Sequence, residues 1–81
     1  MPRSLRSLLH LSMMTVLRQE RTRRNLTQTD LAGRLHRAQS YVAKVETGER
    51  RLDVVEFVEY ARAIGVEPAR LLALILEGEH G

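Results

Sequence analysis

Between Gln28 and Thr47 the apolar and small residues fall at Leu31, Ala32, Leu35, Val42 and Val45, a spacing that leaves the chain few architectures. Leu31, Ala32 and Leu35 share one face of a helix, Val42 and Val45 share one face of a second, and only His36, Arg37 and Ala38 separate the two. So short a link makes the helices cross steeply. Ala32, a small residue at the crossing, lets their backbones approach, and the five positions together supply the wedge between the two helices.

Punctuation extends the pattern to five predicted helices, and no alternating stretch argues for a strand, so the expected fold class is all-α. Helix 1 is expected over residues 13–24, with Val16 and Leu17 inward, Arg18, Arg21 and Arg24 at three-residue intervals, and Asn25 as a left-handed cap. Thr27 is a good N-cap for helix 2, where Asp30 takes the reciprocal part of a capping box and favours the positive helix end. That helix should end near Leu35. Gly33 within it costs about 1 kcal/mol relative to alanine, a position either crowded or simply tolerated. Helix 3 is expected from Gln39 to Thr47, ended by Gly48. Asp53 and Glu56 form a second capping box opening helix 4, with Phe57, Val58, Ala61 and Ile64 on one face and Gly65 as its stop. Pro68 at a first helical position opens helix 5, whose apolar content is Leu71, Leu72, Ile75 and Leu76.

The resulting organisation is an N-terminal extension over residues 1–12, a compact domain over 13–76 and a frayed tail over 77–81. The extension reads two ways. Leu5, Leu8, Leu9 and Ser12 can form one stripe of a short extra helix, or Arg3 and Arg6 can belong to a flexible basic arm.

At 81 residues one core is the limit, with little room for a catalytic cleft. No cysteine is present, which removes disulfides and thiolate metal sites and fits a reducing cytoplasm. His10, His36 and His80 are too scattered to suggest a metal site, and no cofactor motif is found. There is no nucleophile–base–acid set and no phosphate-cradling glycine loop, so nothing supports an enzyme. The apolar stretches are too short or interrupted to span a bilayer, which needs about 20 residues. The start of the chain lacks the unbroken apolar run and cleavage site of a secretory leader.

Charge is segregated. Residues 1–51 hold 11 Arg or Lys against 4 Asp or Glu, a balance of +7, whereas residues 52–81 hold 2 against 6, a balance of −4. A uniformly solvated surface intersperses the signs, so this division suggests a side that faces a polyanion.

Three segments, Leu17-Arg18-Gln19-Glu20-Arg21, Leu26-Thr27-Gln28-Thr29-Asp30-Leu31-Ala32 and the run from Gln39 to Arg51, together resemble the Cro/cI-type, or XRE, helix-turn-helix family. Ala63-Ile64-Gly65-Val66 is similar to that family's helix 4 ending. The resemblance covers about residues 17–72 and implies a lambda-repressor-like bundle of five helices, acting as a small transcriptional regulator with the third helix in the major groove of double-stranded DNA. It implies a palindromic operator bound by a homodimer.

By position the resemblance assigns base contacts to Gln39, Ser40 and Lys44, with Ala43 on the same side able to touch a thymine methyl. The chemistry agrees, because glutamine can pair adenine through its amide and lysine can reach guanine acceptors. Gln28 corresponds to the family glutamine that holds a phosphate at a helix N-terminus, where free amides suit an anion in any case. Arg37, Tyr41, Thr47 and Arg50 are the further candidate phosphate contacts, which fix register without carrying sequence information. Arg21 and Glu46 stand where the family joins helices 1 and 3 by a structural ion pair.

Three residues depart from the family pattern. His36 replaces the usual glycine of the turn, where a left-handed residue is required; histidine tolerates that conformation better than most. Arg37 stands where an apolar residue is usual. Ala38 replaces the serine, threonine or proline before helix 3 and removes an N-cap worth about 1 kcal/mol.

For the dimer, Leu72, Ile75 and Leu76, with Leu5, Leu8 and Leu9, offer apolar surface, although the same residues can pack over the bundle core. The competing function is an antitoxin or other interaction module with a toxin as its partner, its DNA binding serving autoregulation.

Overall fold

Two capping boxes fix the middle of the chain. In the computed structural model, which describes residues 7–80, the Thr27 hydroxyl accepts from the Asp30 amide at 3.0 Å while the Asp30 carboxylate accepts from the Thr27 amide at 2.9 Å. Asp53 and Glu56 repeat the exchange at 2.7 and 2.9 Å. Each box satisfies two of the amides that a helix start leaves unpaired. The helices they open are α2, Gln28–Leu35, and α4, Val54–Ile64. Between them lies α3, Gln39–Thr47, and flanking them are α1, Leu8–Arg23, and α5, Pro68–His80. The described residues contain no strand, so the chain is all-α.

The stops act through left-handed residues, as their sequence positions suggest. Asn25 after α1 and His36 after α2 have φ of 58° and 57°, the two non-glycine residues of positive φ among those described. Gly48 and Gly65 end α3 and α4 at φ of 83° and 99°, a backbone state that costs glycine least.

Both ends of the chain depart from expectation. α1 begins at Leu8 rather than near residue 13, because Ser7 supplies an N-cap, its hydroxyl accepting from the His10 amide at 3.1 Å. Residues 8–12 are therefore the first turns of α1 rather than a separate helix. Of the expected stripe Ser12 is buried, but Leu8 and Leu9 are exposed, and His10 takes the other inward position. The Ser12 hydroxyl donates to the Ile75 carbonyl at 2.6 Å, so a polar group takes the inward position with its partner supplied by α5. The expectations for Arg3, Leu5 and Arg6 lie outside the described residues. At the other end, residues 77–80 continue α5 instead of fraying, because Gly78 lies against Ser12 and α5 packs along α1.

The core joins Val16 and Leu17 of α1, Leu31 and Ala32 of α2, Val42 and Val45 of α3, Tyr60, Ala61 and Ile64 of α4, then Val66, Leu71 and Ile75. Tyr60 is its largest fully buried side chain, a residue missing from the expected inward face of α4. Phe57 and Val58 of that face are only half-buried. Leu72 and Leu76 of α5 are exposed. Gly33 is tolerated rather than crowded: apart from its chain neighbours and its own helix backbone, no described heavy atom lies within 4 Å of where its Cβ would stand.

Candidate nucleic-acid interface

The wedge residues hold α3 with one face inward and one outward. Val42 and Val45 are buried with Leu31 and Ala32, and the Arg37 amide donates to the Ala32 carbonyl at 2.9 Å, closing the turn between the two helices. With those residues inward, Gln39, Ser40 and Lys44 lie exposed on α3, and Ala43 is half-buried. Ala38 makes no side-chain capping bond, so the first amides of α3 lack the partner that a serine or threonine would bring.

Behind the exposed face a chain of polar contacts runs inward. Arg21 of α1 meets Glu46 of α3 through two hydrogen bonds, Nε to Oε2 at 2.6 Å and Nη2 to Oε1 at 3.0 Å. Its Nη1 donates to the Leu26 carbonyl at 2.6 Å. Both residues are buried, at 7% and 9% exposure, so the charges are paired where an isolated one would be costly. Glu46 Oε1 also accepts from Gln28 Nε2 at 3.0 Å, and Gln28 Oε1 accepts from Gln39 Nε2 at 2.6 Å. The first residue of α3 is thereby connected through the first residue of α2 to a buried ion pair. Each glutamine amide keeps one N–H, and Gln39 keeps its Oε1, after these bonds are made.

A second cluster closes over Tyr41. The guanidinium carbons of Arg37 and Arg50 lie 4.3 and 5.0 Å from its ring centroid, within the range of cation–π attraction. Glu56, already the capping residue of α4, accepts from Arg50 Nη1 at 3.1 Å and from Arg50 Nη2 at 2.6 Å. Glu56 Oε2, the acceptor of the Nη2 bond, also stands 3.5 Å from Arg37 Nη2. Arg50 Nη1 also donates to the Arg51 carbonyl. The Arg50 hydrogen bond first, and the Asp53 amide second, hold the Glu56 carboxyl below its usual range, while burial raises the Tyr41 phenol.

Of the expected contact residues, Gln28 and Gln39 meet directly, and Arg37, Tyr41 and Arg50 meet in the second cluster. Thr47 joins neither. Its hydroxyl turns to the Lys44 carbonyl and to the Glu49 carboxylate at 2.9 Å. Sequence reasoning gave Glu56 only a capping role, and its separation of six positions from Arg50 is not a helical spacing that would pair them. Tyr60 was missed as well. Its hydroxyl is buried without a hydrogen-bond partner among the described residues, and its ring centroid lies 6.4 Å from that of Tyr41.

Two helices joined by a three-residue turn and packed through Leu31, Ala32, Val42 and Val45, the second exposed along one polar face, define a helix-turn-helix protein. The family model for the helix-turn-helix domain matches residues 15–74, and the chain belongs to that family. Within it the chain is of the XRE type, a class of DNA-binding domain. A solved structure described as an XRE-family like protein from Pseudomonas syringae pv. tomato str. DC3000 is 40% identical, covers 85% of this chain and 84% of its own, and superposes with a TM-score of 0.79. No curated protein matches the chain. Among the described residues, no helix is long and apolar enough to cross a membrane.

Proposed function

We propose that the protein is a transcriptional regulator that binds double-stranded DNA sequence-specifically, with α3 in the major groove. The observation that carries this reading is the hydrogen bond between Gln39 and Gln28. It orients the Gln39 amide yet leaves one N–H and the Oε1, the donor and acceptor that adenine requires. Ser40 and Lys44 extend the same exposed face, and Ala43 lies beside them at lower exposure. Gln28, with its remaining N–H at the start of α2, faces a backbone phosphate. Arg37, Tyr41 and Arg50 supply further phosphate contacts, with Thr47 the weakest member because its hydroxyl is engaged within the protein. The Arg21–Glu46 pair orients α3.

The regulator acts as a homodimer on a palindromic operator. Leu9, Leu72 and Leu76, each 41–48% exposed, border an apolar groove of about 230 Å³ floored by Met13, Leu52 and Ile75. Two copies meeting there would remove that surface from water. These leucines also support the second reading, an antitoxin-like module that holds a protein partner on the same groove.

In vitro selection of bound DNA, repeated with Gln39→Ala and Lys44→Ala, tests the central assignment. The selected motif should change with each substitution, and an unchanged motif would show that these side chains do not read bases. Light scattering with and without the selected duplex tests the dimer. A monomer in both conditions excludes it.

A further inference from the structure

Glu56 is placed to do more than cap α4. One of its oxygens, Oε2, stands 2.6 Å from Arg50 Nη2 and 3.5 Å from Arg37 Nη2, and both guanidinium groups lie over the single ring of Tyr41. Two like charges brought to one ring repel each other unless an anion is shared between them. Glu56 is that anion. Its side chain is 14% exposed, whereas those of Arg37 and Arg50 are 44% and 36% exposed. The carboxylate thus sits on the protein side of the cluster and the cations on the solvent side.

The four residues involved come from different parts of the fold. Arg37 belongs to the turn before α3, Tyr41 to the first turn of α3, and Arg50 to the loop that follows α3, while Glu56 is anchored in the capping box of α4. The Asp53 amide donates to Oε1 at 2.9 Å, which tethers the carboxylate to the start of α4 independently of the arginines. Two cations and one carboxylate leave one net positive charge, matching a single phosphodiester. Neither guanidinium has spent all five of its N–H donors in the contacts described.

The geometry points to Glu56 as a positioning residue for DNA binding, locking Arg37, Tyr41 and Arg50 into one clamp that meets a single backbone phosphate. This rests on the proposed DNA-binding function and adds a residue that the sequence pattern left outside the interface. A carboxylate at a phosphate site would ordinarily be read as repulsive. Here its value lies in ordering two long side chains before the phosphate arrives, which lowers the entropy that binding must otherwise remove.

The test is Glu56→Gln, which keeps one side-chain oxygen for the Asp53 amide and replaces the oxygen shared by Arg50 and Arg37 with an uncharged amide nitrogen that cannot accept from them. Affinity for a mixed-sequence duplex is measured by fluorescence anisotropy across a sodium chloride series, with thermal melting recorded beside it. The expected result is several-fold weaker binding on every sequence with little change in melting, and a log–log salt slope shallower by about 0.9, the value for one phosphate no longer neutralised. Arg37→Ala and Arg50→Ala, which leave the cap intact, should each produce the same slope change, and the double substitution should cost no more than the larger single one. These two variants decide the matter if Glu56→Gln fails to fold. Additive losses at Arg37 and Arg50 would overturn the clamp. So would a Glu56→Gln protein with unchanged binding, or one with tighter binding and a steeper slope, which would make Glu56 a competitor of phosphate. A wild-type chain that binds no duplex at any salt would overturn the DNA-binding reading and the clamp together.

Discussion

Gln39 Nε2 donates to Gln28 Oε1 at 2.6 Å, so the outermost residue of α3 is oriented by the residue that begins α2. Gln28→Ala should therefore affect more than its own phosphate. Affinity should fall, and selection at the base read by Gln39 should broaden because the freed amide samples other rotamers. One good bidentate pairing with a base is worth about 1–3 kcal/mol of discrimination. Selection followed by sequencing, compared between Gln28→Ala and wild type, measures this. Broadening confined to other positions would contradict the linkage.

Glu46→Ala removes one partner of a buried pair and leaves Arg21 charged at 7% exposure, with the Gln28 amide also losing its acceptor. The expected loss of stability is about 3 kcal/mol. Urea denaturation checks it. Replacing Arg21 and Glu46 together by apolar residues of similar size should restore most of the stability but not DNA affinity, because the restraint on Gln28 would still be missing.

Tyr60→Phe should stabilise the protein. The Tyr60 hydroxyl is buried with no hydrogen-bond partner among the described residues, and its desolvation is uncompensated. Burial pushes its ionisation far above the ordinary tyrosine range, in keeping with an apolar surround. Removing the hydroxyl should return about 1 kcal/mol, seen as a melting midpoint higher by about 5 °C. A lower midpoint would mean that the hydroxyl is satisfied after all.

The two helical glycines should respond in opposite directions to alanine. Gly33 faces open space, so Gly33→Ala should gain about 0.5–1 kcal/mol through helix propensity. At Gly78 an added Cβ would stand 2.3 Å from Ser12 Oγ, an atom already committed to the Ile75 carbonyl. Gly78→Ala should destabilise, and Ser12→Ala in the same chain should recover part of the loss. Thermal melts of the four proteins give the answer.

What could be read from the sequence was local. The boxes at Thr27 and Asp53, the stops at Asn25, His36, Gly48 and Gly65, and the wedge from Leu31 to Val45 each depend on residues a few positions apart, where turn chemistry and helical period dominate. The length of α1 was not legible in that way, because Leu8 and Leu9 suggest an inward face and only the approach of α5 decides that His10 and Ser12 are the buried residues. α5 likewise runs past Leu76 because α1 covers it. Tyr60 was passed over because its polar tip argues against full burial, a preference that core packing overrode. Helical period sufficed to place Gln39, Ser40 and Lys44 on the exposed side of α3, whereas the Gln28–Gln39 bond and the bridging position of Glu56 arise from tertiary approach alone.

The bond between Ser12 and the Ile75 carbonyl spans 63 positions, joining the first helix to the last. During synthesis α1 leaves the ribosome long before α5 exists, so Val16 and Leu17 lack part of their cover until residues near Ile75 emerge. A nascent chain can form the helix pair around Ala32 and Val42 early, but it cannot close the bundle that steadies that pair. The steadied form of the helix pair thus waits on α5, and a product truncated before α5 would leave Val16 and Leu17 partly uncovered and open to proteolysis.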